Sequence, residues 1–298
     1  MRDEGFIQYL KKRQFSHGTM KTCIKVLDLY TRWLETENME ATRASYQDIL
    51  AFMKSLKHAS QRTVQHYVNT VSHYYAYLLE EGEIMENPVT DIEVKGVKRK
   101  VLYQIIEPHE LNGLYTNYPE KTLGDKRNKT MLGLMVYQGL KTEELAKLET
   151  EHVKLREGKI EVPGGRKSNG RTLDMQPAQV MDMYDYILKT RPELLATRPK
   201  RKYQERQQTD KLLIGEGGSS EHFSNYITQL MKKLKTINPG IKNAKQIRAS
   251  VITKWLKQYN LREAQYRAGH RYISSTEGYK QNDLEGLKEE IEQYHPLG

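Results

Sequence analysis

Along the first third of the chain, apolar residues recur every three or four positions, the spacing that gathers them on one face of a helix. Met20, Cys23, Ile24, Leu27, Tyr30, Trp33 and Leu34 predict a helix over Thr19–Asn38, with Lys21, Lys25, Asp28 and Arg32 on its opposite face. Ile49, Leu50, Phe52, Met53 and Leu56 predict a second over Tyr46–Lys57. Val64, Tyr67, Val71, Tyr74, Tyr75, Leu78 and Leu79 predict a third over Ser60–Glu81, closed by Gly82. Short connections fold such helices into a small bundle.

The pattern breaks at Asn87-Pro88-Val89, and Val94 to Arg99 is basic with little apolar content. A helical domain over residues 1–93 and a basic linker over 94–106 are therefore expected. Beyond them, Pro108 suits the first turn of a helix continuing through Leu111 and Leu114. Lys129–Gly139 is too continuously apolar for a surface helix, which makes Met131, Leu132, Leu134, Met135 and Val136 central to a second core. Glu143–Leu148 begins another helix.

The pattern then changes to short strands. His152–Leu155, Lys159–Val162 and Arg171–Met175 predict a small antiparallel sheet, with a turn at Glu157-Gly158 and a glycine-rich one over Gly164–Gly170. Further helices are expected over Ala178–Lys189 (Val180, Met181, Tyr184, Ile187 and Leu188 inward), His222–Ile237, Val251–Tyr259 and Leu284–Tyr294. Arg198–Asp210 is a basic polar run without periodicity, read as a surface loop or a DNA-contacting one. The fold class is mainly α with a small antiparallel sheet, the second domain spanning residues 107–298.

With 298 residues the chain has room for two ordinary cores. A net charge of +10 points to a polyanionic partner without choosing among DNA, RNA and an anionic surface. No apolar run approaches the ~20 residues of a spanning helix, and Met1-Arg2-Asp3-Glu4-Gly5 lacks the apolar core of a signal peptide. Cys23 is the single cysteine, so no internal disulfide and no cysteine-based zinc site is expected. The histidines show no His-Glu-x-x-His cluster, and neither a metal site nor a cofactor is expected. A reducing, cytoplasmic or DNA-associated setting follows as the default.

The stretch from Lys245 to Tyr279 concentrates the chemistry. Arg248 at a helix start, His270 after a glycine and Tyr279 downstream of Ser274-Ser275-Thr276 together suit one phosphodiester. The arginine and histidine would donate to its oxygens, and the phenol would attack phosphorus. Free tyrosine has a pKa near ~10, so its attack needs cationic neighbours or a base. Taken singly these residues say little, since the chain holds 20 tyrosines.

Their order and spacing resemble the C-terminal signature of the tyrosine recombinase (phage-type integrase) family: His-x-x-Arg, Leu-Gly-His, then a tyrosine after a Thr-containing turn. The match is specific at Arg248, His270 and Tyr279; Lys245 stands where the family usually has histidine, and Ala268 where it has leucine. Gly139-Leu140-Lys141 keeps the frame of a Gly-Leu-Arg motif with lysine in place of arginine. Arg166, Arg271 or another arginine is left to substitute for it. A family lysine on the turn between two strands corresponds to Lys167, with Arg166 next.

The resemblance implies a helical core-binding (SAM-like) domain and a mixed α/β catalytic domain clamping double-stranded DNA. Lys95, Lys98, Arg99 and Lys100 of the linker, together with Arg166, would contact DNA. It implies site-specific recombination through a 3′-phosphotyrosyl bond at Tyr279, with Arg248, His270, Lys167, Lys245 and Lys141 as the other catalytic residues. It also implies a homo-oligomer, a tetramer on two DNA sites, held through the helix carrying Leu284, Leu287 and Ile291. Two alternatives stay open: a catalytically impaired DNA-binding relative that occupies or organises recombination sites, and a type IB topoisomerase.

Overall fold

The protein was studied as a computed structural model that describes residues 2–97, 104–166, 168–197, 208–221 and 223–280. It divides into two compact units, Met1–Lys100 and Val101–Gly298.

The first unit holds α1 (Arg2–Lys12), α2 (His17–Thr36), α3 (Tyr46–Ser55) and α4 (Gln61–Glu80). Ser16, Ser45 and Ser60 start the last three by accepting from the backbone N–H three residues on, satisfying donors that a helix start leaves unpaired. The core is aromatic: Tyr30, Phe52 and Tyr75 are buried, and the Tyr30 and Tyr75 hydroxyls meet at 2.6 Å. Cys23 is buried among these helices.

The helix α1 was not expected, because only Phe6, Tyr9 and Leu10 form its apolar stripe. It packs on α4 where a Cβ on Gly5 would stand 2.2 Å from the Tyr77 hydroxyl, so only glycine fits this approach. Leu79, expected inward, is exposed; the stripe of α4 runs instead through Val68, Val71, Tyr74, Tyr75 and Leu78. Val94 and Val97, in the expected linker, pack on this core, and Lys95 is exposed.

In the second unit α5 (Pro108–Thr116) and α6 (Leu123–Val136) precede the one-turn α7 (Thr142–Leu145). The start of α6 lies six residues before the expected Lys129. Thr122 and Asp125 cap it reciprocally, and the polar residues Arg127, Asn128, Lys129 and Thr130 in its middle are buried as well. Arg127 donates to Asn128 Oδ1 and the Ile214 carbonyl with its guanidinium 3.9 Å from the Tyr226 ring centre. Lys129 pairs with Glu120 and Asp182.

Strands β1 (Val153–Lys154), β2 (Lys159–Val162) and β3 (Arg171–Asp174) form an antiparallel sheet in sequence order, Ile160 facing Leu173 and Val162 facing Arg171. Ile160, Val162, Arg171 and Leu173 are buried. A helical stretch follows: α8 (Pro177–Asp185), a π-helical turn (Tyr186–Thr190) and α9 (Arg191–Ala196). Its inward face is Gln179, Met183, Tyr186 and Thr190, whereas Met181, Tyr184 and Leu188, expected inward, are exposed. Val180 and Ile187, also expected inward, do pack on the core. Gln179 takes an inward position by exchanging hydrogen bonds with the Gln138 amide at 2.7 and 3.0 Å.

The last helices are α10 (Phe223–Ile237), α11 (Ala244–Gln258), α12 (Leu261–Ala268) and α13 (Ser274–Glu277). The α11 start precedes the expected Val251, because Asn243 accepts from the Gln246 N–H and opens the helix there. Arg248 therefore sits in the second turn rather than at the helix start. The helix α12, also unexpected, is capped by Asn260. No helix among the described residues is long and apolar enough to cross a membrane.

Candidate active site

The end of α6 delivers the first part of the site. Gly139 adopts φ +58°, in the left-handed region that favours glycine, and turns the chain against Val251 and Trp255 of α11. Its carbonyl then faces Arg248, and Lys141 follows as the residue that caps α7. The Lys141 N–H donates to Glu144 Oε2 at 2.9 Å, which fixes the motif's backbone to the first turn of that helix.

Arg248 is buried where three segments converge. Nη1 donates to the Gly139 carbonyl, Nη2 donates to the Ala268 carbonyl at 2.6 Å, and Nη2 also lies 3.3 Å from His270 Nε2. Glu144 Oε2 stands 3.9 Å from Nη1.

His270 is delivered by the end of α12. Gly269, at φ +61°, terminates that helix, and a Cβ there would lie 2.3 Å from Arg171 Nη1. Both the backbone conformation and the close approach require glycine. Gln265 pins the histidine twice: its carbonyl accepts from the His270 N–H at 3.1 Å, and its side-chain amide donates to the His270 carbonyl at 3.1 Å. The glycine-rich hairpin between β2 and β3 lies alongside, with the Asn169 N–H donating to the Gly269 carbonyl at 3.1 Å and Ser168 bridging to His270.

Tyr279 completes the group. Its ring stacks on the His270 imidazole at 5.7 Å between centres and 15° between planes. Thr276, fully buried on α13, places its hydroxyl 2.9 Å from His270 Nδ1.

Burial lowers the pKa of Arg248; Glu144 and the Tyr279 hydroxyl oppose that shift, and an arginine stays charged regardless. Burial and then the charge of Arg248 pull the Lys141 ammonium below its usual range. His270 is pushed down to about 3 by burial, then by Arg248, Lys141 and Arg171. At neutral pH the imidazole is therefore uncharged and can accept a hydrogen bond but binds a proton poorly, and the positive charge resides on Arg248, Lys141 and Arg171.

Lys141, Arg248, His270 and Tyr279 thus come together. Lys245 lies one turn before Arg248 on α11 and is exposed. Arg166 is exposed on the hairpin, its carbonyl accepting from Arg271 Nη1 at 3.1 Å. Arg271 is thus tied to the hairpin, and Arg171 is the additional arginine beside the cluster. Lys95 belongs to the other unit. Lys98, Arg99, Lys100, Lys167 and the expected helix Leu284–Tyr294 lie outside the described residues, as do residues 198–207 of the basic run.

Three residues of the site were not anticipated as functional: Glu144, Arg171 and Thr276. Arg171 shares the inward phase of Leu173 on β3, an odd place for a charge, and that phase is the signal that could have marked it. Lys147 approaches the hairpin too, its Nζ 3.8 Å from where a Cβ on Gly165 would stand.

The sequence profile of the phage integrase family matches residues 104–285, and that of the phage integrase N-terminal SAM-like domain matches residues 4–86. Tyrosine recombinase XerD of Oceanobacillus iheyensis is 26% identical over 305 residues, covering 98% of this chain and 97% of that protein. In fold the chain is similar to a lambda integrase (75–356) dimer bound to a COC′ core site, with TM-score 0.66 and 14% identity over 92% of each chain. It is also similar to a lambda integrase tetramer bound to a Holliday junction, with TM-score 0.67 and 13% identity over 92% of this chain and 74% of that one. A family profile over most of the chain, joined to a buried arginine and histidine beside a tyrosine, decides the assignment: the chain belongs to the phage integrase family.

Proposed function

We propose that this protein cuts and rejoins duplex DNA at specific sites with Tyr279 as nucleophile. The observation that carries this reading is the Tyr279 ring stacked on neutral His270, itself against the Arg248 guanidinium. The Tyr279 oxygen attacks phosphorus, the bond from phosphorus to the 5′ oxygen breaks, and a 3′-phosphotyrosyl bond forms. The phenol proton passes to water, the neighbouring cations favouring the phenolate, while His270 holds Arg248 in place and Arg248 and Lys141 stabilise the charge that builds on the phosphate oxygens. Lys167 returns a proton to the leaving 5′ oxygen, and Lys245 adds positive charge at the rim. Rejoining runs the same steps backward.

The impaired-relative and topoisomerase alternatives are not favoured. The cation cluster and the tyrosine are assembled together, and the full-length relative is a tyrosine recombinase. In the proposed complex residues 1–93 and 107–298 each hold the duplex, and Lys95, Lys98, Arg99, Lys100 and Arg166 contact phosphate. The setting is the DNA-containing cytoplasm. Four copies assemble on two sites through the segment Leu284–Tyr294, whose apolar stripe needs a partner surface.

Incubation with a pool of nicked duplexes tests the chemistry, because loss of the short 5′-hydroxyl strand traps the intermediate. A denaturant-resistant protein–DNA adduct in the wild type and none in Tyr279→Phe is the expected result. Adducts from both proteins would refute the assignment. Truncation after Asn282 tests the assembly: single-site binding should persist while cooperative binding to a two-site duplex is lost.

A further inference from the structure

The polar contacts of His270 decide which of its nitrogens carries the proton. An arginine side chain has donors and no acceptor. Nη2 of Arg248 lies 3.3 Å from Nε2, so Nε2 meets it as a lone pair. An N–H at that atom would set two donors against each other inside a site where His270 is 8% exposed. In the neutral imidazole the proton is then on Nδ1, which donates to Thr276 Oγ1 at 2.9 Å. The hydroxyl can accept this bond, and Thr276 is wholly buried, with the described structure offering Nδ1 no other polar partner.

We propose that Thr276 is a positioning residue that holds His270 as the Nδ1–H tautomer, so that the Nε2 lone pair accepts from Arg248 and holds that guanidinium in the site. The proposal rests on the recombinase reading for its chemical consequence, though not for the tautomer itself. Thr276 also lies three residues before Tyr279, whose N–H donates to the Thr276 carbonyl at 3.0 Å. One residue therefore sets both the imidazole's protonation pattern and the backbone that presents the phenol. With the proton on Nε2 instead, the imidazole would turn a donor against the Arg248 guanidinium and lose that hold.

Thr276→Val keeps the shape of the side chain and removes the acceptor, and Thr276→Ser keeps the acceptor. Nitrogen-15 NMR of the labelled full chain reads the tautomer, with the His270 signal assigned by its absence in His270→Gln. Wild type and Thr276→Ser should show protonated Nδ1 and bare Nε2, and Thr276→Val should move the proton to Nε2 or mix the two forms. Adduct formation on nicked DNA should fall by about tenfold or more in Thr276→Val, as when the group orienting a catalytic histidine is lost, with DNA affinity unchanged and the rate restored in Thr276→Ser.

A wild-type spectrum with the proton on Nε2 overturns the proposal without any variant. So does a Thr276→Val protein that keeps the wild-type tautomer or the wild-type rate. A shifted tautomer in Thr276→Val, with no adduct from any protein including wild type, would support the positioning role while removing the recombinase reading.

Discussion

Arg171 donates both terminal nitrogens to the Glu144 carboxylate, at 2.9 and 3.0 Å, with its own side chain wholly shielded from solvent. The pair joins β3 to α7, and Glu144 also receives the Lys141 N–H. Burial alone would raise the Glu144 pKa; the hydrogen bonds and charge of Arg171 reverse that and hold it below the ordinary carboxylate range. Removing one partner leaves the other charge buried and unpaired. Glu144→Ala and Arg171→Ala should each cost about 3–5 kcal/mol by denaturant titration. A loss under about 1 kcal/mol, the size of an exposed pair, would show that the site admits water.

His270 makes stability depend on pH in a defined window. Its folded-state pKa is pushed down to about 3, by burial first, then by Arg248, Lys141 and Arg171, with Glu144 opposing. In the unfolded chain it titrates near ~6.5. Between these values the unfolded state binds the extra proton, so this group's contribution is intact above pH ~6.5 and is lost as pH falls toward 3, at up to about 1.4 kcal/mol per pH unit. Glu144, also depressed, adds loss in the acid range. Unfolding free energies at pH 7, 6 and 5 should therefore fall more steeply for wild type than for His270→Gln. Parallel curves would contradict a buried neutral imidazole.

Lys141 keeps a positive charge where the family motif has arginine, half-buried and close enough to Arg248 for the two charges to oppose each other. A fork would restore two-point contact with phosphate oxygens. In single-turnover cleavage Lys141→Arg should match or exceed wild type. Lys141→Ala should be slower by about 100-fold, the size of one lost preorganised donor, and Arg248→Ala slower still. Full activity in Lys141→Ala would place the second cation elsewhere.

How much of this was legible in the sequence differs element by element. The periodicity of α2 and α4 located both helices to within about two residues, because each has an apolar stripe running along its whole length. The α11 start was displaced because its apolar run opens at Val251, while the true cap, Asn243, sits among lysines and glutamines that also suit a loop. Motif order singled out Arg248, His270 and Tyr279, which the fold brings together. It passed over Arg171 and Glu144, which look like surface charges until the fold brings β3 beside α7. On α8 the polar Gln179 takes an inward place and Met181 and Tyr184 face out, a choice that hydrophobic spacing does not report because Gln179 is satisfied by Gln138 from another segment.

The central claim is that one particular phenol among 20 tyrosines becomes joined to DNA. Adduct trapped on a nicked duplex can be digested with nuclease and protease and the linked peptide sequenced by mass spectrometry. The account predicts a peptide containing Tyr279 with a nucleotide attached through its 3′ phosphate. A nucleotide on any other residue, or one attached through a 5′ phosphate, would contradict it.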